Sequence, residues 1–175
     1  MGLPLAHLVA YATDRGLLLT DAVTVLSVTL MAAFTSRVVV VGILSDRYGG
    51  LMALFCFSAL QAVMLGLLTI ADTSFLLYIV GIGFGFGYGG IFPVYAVIVR
   101  EYMPPDQAGR RTGVVFLFGA CAMGFGSWMG GALFDATASY TLPFLIGVAA
   151  NFVNLIIVGA LLTKTKPVEP QALAA

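Results

Sequence analysis

The segment GFGYGG, residues 85–90, has the glycine spacing G-x-G-x-x-G at Gly85, Gly87 and Gly90. In dinucleotide-binding proteins such glycines form a turn between a strand and a helix, where backbone N–H groups hold a pyrophosphate. Here the glycines lie inside an apolar run, residues 74–99, that contains no charged side chain. A run of that length predicts a membrane-spanning helix instead of a strand and a turn. We therefore interpret the glycines as parts of a helix that binds no phosphate.

The glycines of this run fall on two faces of the predicted helix. Gly81, Gly85 and Gly89 share one face, and the remaining glycines lie on the nearly opposite face. Small residues four positions apart let helix backbones approach closely in lipid. Pro93 cannot donate a hydrogen bond to the carbonyl of Gly89, so we expect a kink at this point. Two interpretations remain open: close packing alone, or motion of a kinked helix that lines a transport pathway.

Arg37 is the one charged residue that lies deep inside an apolar run, within the sequence AFTSRVVVVG. A cation at the bilayer centre costs about 2.5–3.5 kcal/mol on insertion scales, so we expect a compensating interaction. One interpretation is that the side chain extends to the cytoplasmic interface or neutralises a nearby helix end. The other is that Arg37 faces a central cavity and holds an anionic substrate through bidentate hydrogen bonds to a carboxylate.

No group of residues suggests catalysis. The chain has a single histidine, His7, and no acidic cluster, so it offers neither a set of metal ligands nor a Ser/His/Asp arrangement. Cys56 and Cys121 both lie in apolar runs, where the role of a small buried hydrophobic residue is expected. Basic and acidic residues are equal in number, which does not suit a nucleic-acid-binding protein. We expect neither an enzyme nor a bound metal or cofactor, and no nucleic-acid partner.

The elements that position these residues follow from the composition. Of the 175 residues, 61% are hydrophobic and 9% are charged, whereas soluble domains have about 45–50% and about 25%. Residues 1–12 form a short apolar run, about 18 Å long as a helix, against a hydrocarbon core of about 30 Å. Runs long enough to cross a bilayer cover residues 22–43, 51–71, 74–99, 112–134 and 141–163. The predicted fold class is all-α: a polytopic helical membrane protein with five full transmembrane helices and a truncated first one.

Basic residues between these runs predict the topology, because Lys and Arg are retained on the cytoplasmic side. One set of connections carries only Arg15, and the other set, together with the C-terminal tail, carries Arg47, Arg100, Arg110, Arg111, Lys164 and Lys166. We therefore expect the tail, residues 164–175, to be cytoplasmic. The segments at Asp14, Asp72 and Asp135 then face outward, and the expected location is the plasma (inner) membrane.

The connection GILSDRYGG places Gly42, Asp46, Arg47 and Gly49 in a very tight turn between two spans. Glycines let such a turn close, and the two opposite charges can pair with helix ends or with each other. The segment resembles the signature G-x-L-x-D-R-x-G of major facilitator superfamily transporters. The sequence then continues with GL, where that signature usually has basic residues, and this departure is typical of the weaker copy in the second half of such transporters.

Two further segments resemble the same superfamily. HLVAYATDRG, residues 7–16, and the later Arg37 look like the seventh and eighth helices of monocarboxylate and oxalate–formate carriers. GFGSWMGGALFDATASY, residues 124–140, is similar to the eleventh helix, with Gly126, Gly130, Gly131 and Asp135 in register. The resemblance implies that the chain is the C-terminal six-helix half of a 12-helix transporter. Its partner would be the N-terminal six-helix half or a second copy of the chain.

The resemblance also implies a function. Related carriers have an arginine in this helix that binds a carboxylate, which favours the substrate-binding interpretation of Arg37. We expect a symporter or antiporter in the lipid bilayer that moves a small organic anion, such as a monocarboxylate, by alternating access. The alternative is a non-transporting membrane fragment or a structural helical subunit. Helix packing and gating would involve Gly81, Gly85, Gly89, Pro93, Gly126 and Gly130.

Overall fold

The computed structural model describes residues 2–165, and over this range the chain consists of helices and their connections. A five-residue π-helical segment, π1, interrupts the first long span. Lys166 and most of the predicted tail, 164–175, lie outside the described residues. The elements are α1 Gly2–Asp14, α2 Leu19–Thr35, π1 Ser36–Val40, α3 Val41–Tyr48, α4 Gly50–Leu68, α5 Ser74–Tyr102, α6 Pro105–Thr137 and α7 Thr141–Lys164.

Within the described range, five helical spans are long and apolar enough to cross a membrane. The first of them consists of α2, π1 and α3 in series, and the others are α4, α5, α6 and α7. The predicted all-helical class is therefore confirmed. Several helices extend past the apolar runs, because helical hydrogen bonding continues into the polar ends. For example, α6 begins at Pro105, whose fixed φ and missing N–H suit the first turn of a helix.

Helix α5 lies at the centre of the bundle. It packs against α2 on one side and α4 on the other, while α4 also packs against α7, and α1 contacts both α2 and α6. Two clusters of buried apolar side chains result, one around Tyr11 and Phe144 and the other around Phe57 and Ile91. Helix α5 therefore separates α2 from α4 and packs against both of them.

Helices α6 and α7 are the least enclosed. Within residues 2–165, Gly130 is the only buried residue of α6, and α7 buries Pro143, Phe144 and Val158. Both helices carry large exposed apolar side chains, among them Leu117, Phe118, Trp128 and Ile156. Such surfaces are stable against lipid tails or other transmembrane helices.

At one end of the bundle, Arg15 joins the α1–α2 connection to the α4–α5 connection. Its guanidinium forms an ion pair with Asp72 and donates to the carbonyl of Ala71 at 3.4 Å. It also lies 5.0 Å from the ring centroid of Tyr11, whose hydroxyl donates to the carbonyl of Leu68. The connections that contain Arg15 and Asp72 therefore lie side by side at this end.

At the opposite end, Glu101 near the end of α5 binds the start of α4. Its carboxylate accepts hydrogen bonds from the N–H of Gly50 at 3.0 and 2.9 Å. A carboxylate in this place satisfies a helix N–H group that has no partner within the helix and opposes the positive end of the helix dipole. Gly49, just before it, has a φ of +82°, a conformation that favours glycine. A Cβ at Gly50 would lie 2.8 Å from Ile98. Glycine is therefore favoured at position 49 by the backbone conformation and at position 50 by the lack of space for a side chain.

Replacing Glu101 with alanine is expected to destabilise the bundle by about 1–2 kcal/mol, because the N–H of Gly50 loses a charged acceptor. Thermal unfolding of the purified protein in detergent measures the effect. Asp46→Ala is the matched control, since Asp46 is an exposed acid in the same turn. If Asp46→Ala were the more damaging change, the helix end would depend on the signature aspartate instead of Glu101.

Candidate functional site

Arg37 lies in π1, and its Nε donates to the carbonyl oxygen of Gly89 in α5 at 3.5 Å. In a regular helix that carbonyl would accept from the residue four positions later, which here is Pro93 and has no N–H. The guanidinium is therefore placed against the one carbonyl of α5 that proline leaves without its helical partner. The sequence indicated an unusual Arg37 and an unpaired Gly89 carbonyl separately, and the structure brings the two together.

The depth of this contact bears on the two interpretations of Arg37, both of which stay predictions. Gly89 lies near the middle of α5, about 20 Å of helix from either end. Arg37 itself lies about 16 Å of helix from the end of α3 at Tyr48. A snorkelling arginine would place its charge near a helix end or the interface. The guanidinium instead contacts the backbone in the middle of a span.

The charge of Arg37 is not neutralised by the described part of the chain. Over residues 2–165 the one ion pair joins Arg15 to Asp72, and the side chain of Arg37 is exposed. The hydrogen bond from Arg37 to the carbonyl of Gly89 uses Nε, and its length is near the upper limit for such a bond. The two terminal NH2 groups are thus available as a planar fork, the geometry that matches a carboxylate.

The π-helical segment around Arg37 was not predicted from the sequence. Ser36 is fully buried and donates its hydroxyl to the carbonyl of Phe86 in α5 at 2.7 Å. A π-helical turn carries an extra residue, so it changes the direction of the side chains that follow, and such turns occur frequently at functional sites. The extra residue places Ser36 and Arg37 together against the glycine-rich part of α5.

The two glycine faces of α5 contact two different helices. On the first face, a Cβ at Gly85 or Gly89 would overlap the backbone carbonyls of Thr29 and Ala33 in α2. On the second face, a Cβ at Gly87 would lie 3.0 Å from backbone atoms of α4. Helix α5 continues without a break from Ser74 to Tyr102 through these glycines and Pro93, so no strand-to-helix turn is present for a phosphate.

The glycines of α6 differ from one another. A Cβ at Gly130 would lie 2.8 Å from Leu3, so this glycine allows α1 and α6 to approach closely. For Gly126 no atom of the described residues would lie within 4 Å of a Cβ, and this glycine lines a cavity of about 420 Å³ between α1, α4, α6 and α7. The predicted role of Gly126 in helix packing or gating therefore stays a prediction, since its face is open to the cavity among the described residues.

Polar side chains connect α4 to α7 beside that cavity. Asn151 donates to Oε1 of Gln61 at 3.2 Å, and Asn154 donates to the hydroxyl of Ser58 at 3.0 Å. Hydrogen bonds of this kind are a usual form of association between helices in lipid. These residues join two helices on the side of α5 that faces away from α2, so they do not lie at the Arg37 contact.

The signature residues lie at the turn between α3 and α4. Gly49 provides the positive φ described above, while a Cβ at Gly42 would meet no described atom within 4 Å. Asp46 and Arg47 are exposed and are not paired with each other, and the guanidinium of Arg47 lies 5.5 Å from the ring centroid of Tyr48. The carboxylate that binds a helix end at this turn belongs to Glu101, which the sequence interpretation did not select.

His7 is a second residue that sequence reasoning passed over. Its Nε2 lies 3.0 Å from the carbonyl oxygen of Ser127 in α6, and its Nδ1 lies 3.4 Å from the hydroxyl of Tyr140. Tyr140 precedes α7, and burial together with the nearby carboxylates of Asp14 and Asp135 raises the pKa of its phenol. The signal in the sequence is a lone imidazole inside an apolar helix, where a polar ring needs hydrogen-bond partners from neighbouring helices.

The match of the chain to known proteins agrees with this geometry. No curated protein matches the chain significantly. A family model described as the Major Facilitator Superfamily matches residues 2–175. That match covers nearly the whole sequence, and the described helices have the membrane-spanning lengths that such a transporter requires. The chain therefore belongs to the Major Facilitator Superfamily of membrane transporters.

Proposed function

We propose that this chain is the C-terminal six-helix half of a secondary carrier that moves a small organic anion, such as a monocarboxylate. The observation that carries the proposal is the contact between Arg37 and Gly89 near mid-depth in the bundle. Substrate sites of secondary transporters lie near the bilayer midplane, often beside interrupted helices. Here two continuous spans meet at that depth, one with a π-helical turn and the other with a proline.

The chemistry of the site favours an anion with a carboxylate. A guanidinium without a carboxylate partner in the described residues keeps its full charge, so an anion that arrives from outside gains a charge-assisted interaction. A planar carboxylate can accept two parallel hydrogen bonds from the terminal nitrogens of Arg37 while Nε keeps its contact with Gly89. In the alternative, a structural helical subunit without transport, this charge would serve only to satisfy the carbonyl of Gly89.

Alternating access requires a second bundle on the other side of the substrate. The exposed apolar surfaces of α6 and α7 can pack with a further six-helix half, either an N-terminal half or a second copy of the chain, as well as with lipid. Pro93 and the glycines of α5 mark the point where the helix can bend as the halves rock. We place the gating motion at this bend.

Uptake measurements test the proposed function. Liposomes that contain the carrier assembled with both halves are expected to accumulate labelled acetate, lactate or pyruvate in a saturable way. Uptake of a neutral polyol of similar size should stay at the level of empty liposomes. Saturable uptake of the polyol without competition by any carboxylate would contradict the proposal that an anion is the substrate.

We further propose that the C-terminus is cytoplasmic, because of the basic residues at that side of the bundle. Single cysteines at Asp135 and at Lys164 are expected to react with an impermeant thiol reagent from outside and from inside, respectively. Asp72 is unsuitable for labelling because it pairs with Arg15. Cys56 and Cys121, both exposed, must first be replaced by alanine. Reaction of the Lys164→Cys protein from outside alone would invert the topology.

A further inference from the structure

We propose that the cavity between α1, α4, α6 and α7 binds an uncharged molecule with an apolar body and one polar group that both donates and accepts hydrogen bonds. A carboxamide is such a group. The inference goes beyond the proposed transport function, because none of the described residues that line the cavity belongs to α2, π1, α3 or α5. It rests on three features: two unpaired amide atoms, an apolar lining without charge, and an open space at Gly126.

The side-chain amides of Gln61 and Asn151 are only half paired. Nδ2 of Asn151 donates to Oε1 of Gln61 at 3.2 Å, which leaves Nε2 of Gln61 and Oδ1 of Asn151 without a partner among the described residues. Gln61 is 1% exposed, and a buried donor or acceptor without a partner is costly. The last torsion of each amide varies over a broad range, so both atoms can turn toward a bound group. The two residues, which both line the cavity, thus offer one donor and one acceptor to a ligand.

A neighbouring pair one helical turn away shows what a purely structural link requires. Nδ2 of Asn154 donates to the hydroxyl of Ser58 at 3.0 Å, and among the described residues this pair has no buried polar atom without a partner. Both pairs join α4 to α7, and hydrogen bonds of this kind associate helices in lipid. Association of the two helices therefore does not explain the unpaired atoms of Gln61 and Asn151.

The rest of the lining defines the body of the ligand. The cavity has a volume of about 420 Å³, within the range of about 300–1,000 Å³ that is typical of small-molecule sites. Most of its lining is apolar, and the largest apolar side chains include Leu65, Phe125, Met129 and Ile146. None of the described lining residues has an ionisable side chain, so a charged ligand would lose hydration without gaining an ion pair. The ligand is therefore uncharged.

The depth of the amide pair does not suit a phospholipid head group. Gln61 lies about 10 Å of helix from the end of α4 at Leu68, and Asn151 lies about 15 Å of helix from the start of α7. Head groups lie outside the hydrocarbon core, which is about 30 Å thick. The ligand is therefore a small molecule that partitions into the hydrocarbon.

Gly126 leaves part of the cavity open. A Cβ at this position would meet no described atom within 4 Å, so Gly126→Leu can fill the space, and leucine is more favourable than glycine in a helix. A Cβ at Gly124 would also meet no described atom within 4 Å, but Gly124 is exposed and does not line the cavity. Gly124→Leu is thus the matched control, on the nearly opposite face of α6.

Fluorine NMR of a small probe tests the site. The protein in nanodiscs is titrated with para-(trifluoromethyl)benzamide, and empty nanodiscs give the partition of the probe into lipid. We expect saturable binding of the amide, about tenfold tighter than that of para-(trifluoromethyl)toluene, which has a similar body but no group that forms hydrogen bonds. Gly126→Leu should abolish saturable binding, and Gly124→Leu should keep it.

A double replacement tests the amide pair. In Gln61→Met/Asn151→Leu both partners become apolar together, so the folded bundle should be kept, and thermal unfolding checks this. The benzamide probe should bind this variant about tenfold more weakly than the parent protein, at the affinity of the toluene probe. Binding of the toluene probe itself should stay near its parent value.

Three results would each overturn the proposal: no saturable binding of the benzamide probe, equal affinities of the two probes for the parent protein, or equal effects of Gly124→Leu and Gly126→Leu. Water that alone satisfies the unpaired amide atoms would give one of the first two results. The site and the proposed carrier function can fail separately. Saturable benzamide binding without carboxylate uptake would keep the site and reject the organic-anion function, and the reverse combination would keep the function and reject the site.

Discussion

Alanine at Gly85 or Gly89 is expected to lower the thermal stability of the bundle, whereas alanine at Gly113 should leave it unchanged or raise it. In a helix, alanine is more favourable than glycine by up to about 1 kcal/mol, so propensity alone predicts stabilisation at all three positions. At Gly85 and Gly89, however, the new Cβ would overlap the backbone carbonyls of Thr29 and Ala33. A backbone atom cannot move aside by changing a rotamer, so α2 must separate from α5.

The expected cost is about 1–3 kcal/mol or more, the range for overpacking in a tightly packed interior. At Gly113 no described atom would lie within 4 Å of the new Cβ, which makes it the matched control in a neighbouring helix. Thermal unfolding in detergent, with expression level as a second readout, measures all three variants. If Gly85→Ala and Gly89→Ala were as stable as Gly113→Ala, α2 and α5 would not be in backbone contact.

The glycine faces show what sequence spacing can and cannot predict. The periodicity of the α-helix gives the angle between two positions on one helix, so the division of the glycines into two faces was predictable. It gives no information about which neighbouring helix meets each face. The structure assigns α2 to the face of Gly85 and Gly89, and α4 to the face of Gly87. Which helix meets each face depends on packing between residues far apart in the sequence, so a local sequence pattern cannot predict it.

The contact between Arg37 and Gly89 was unpredictable for a related reason. The missing hydrogen bond at Pro93 follows from covalent chemistry, and so does the unpaired carbonyl of Gly89. The direction of Arg37 depends on the π-helical turn, and none of its five residues, Ser36–Val40, is a glycine or proline that would indicate an irregular helix. The hydroxyl of Ser36, buried against Phe86, is the visible consequence of that turn.

Hydropathy predicted the helical class correctly but not the polar contacts at the helix ends. The signature directed attention to Asp46 and Arg47, while the carboxylate that binds α4 comes from Glu101, about 50 residues later in the sequence. A helix N-terminus offers unsatisfied N–H groups to any acid that the fold brings near. The direction of α5 brings Glu101 to the start of α4, and the spacing of residues in a motif cannot predict that direction.

In the complete carrier, replacing Arg37 with lysine is expected to weaken carboxylate transport almost as much as replacing it with alanine. The guanidinium can keep Nε on the carbonyl of Gly89 while its two terminal nitrogens bind a carboxylate. An ammonium group offers one compact charge, which cannot contact both partners in this way and is more strongly hydrated. The loss of a desolvated, hydrogen-bonded ion contact costs about 2–5 kcal/mol, which is more than tenfold in affinity.

The measurement is concentration-dependent uptake of a series of carboxylates by Arg37→Lys and Arg37→Ala, with the amount of protein in the membrane determined for each variant. Arg100→Lys is the matched control, because Arg100 is an exposed cation in the last turn of α5 and lies far from Gly89. Near-normal affinity of both Arg37 variants for every transported anion would mean that the guanidinium has only a structural role. The charge at mid-depth would then serve solely to satisfy the carbonyl that Pro93 leaves free, and the organic-anion proposal would lose the observation on which it depends.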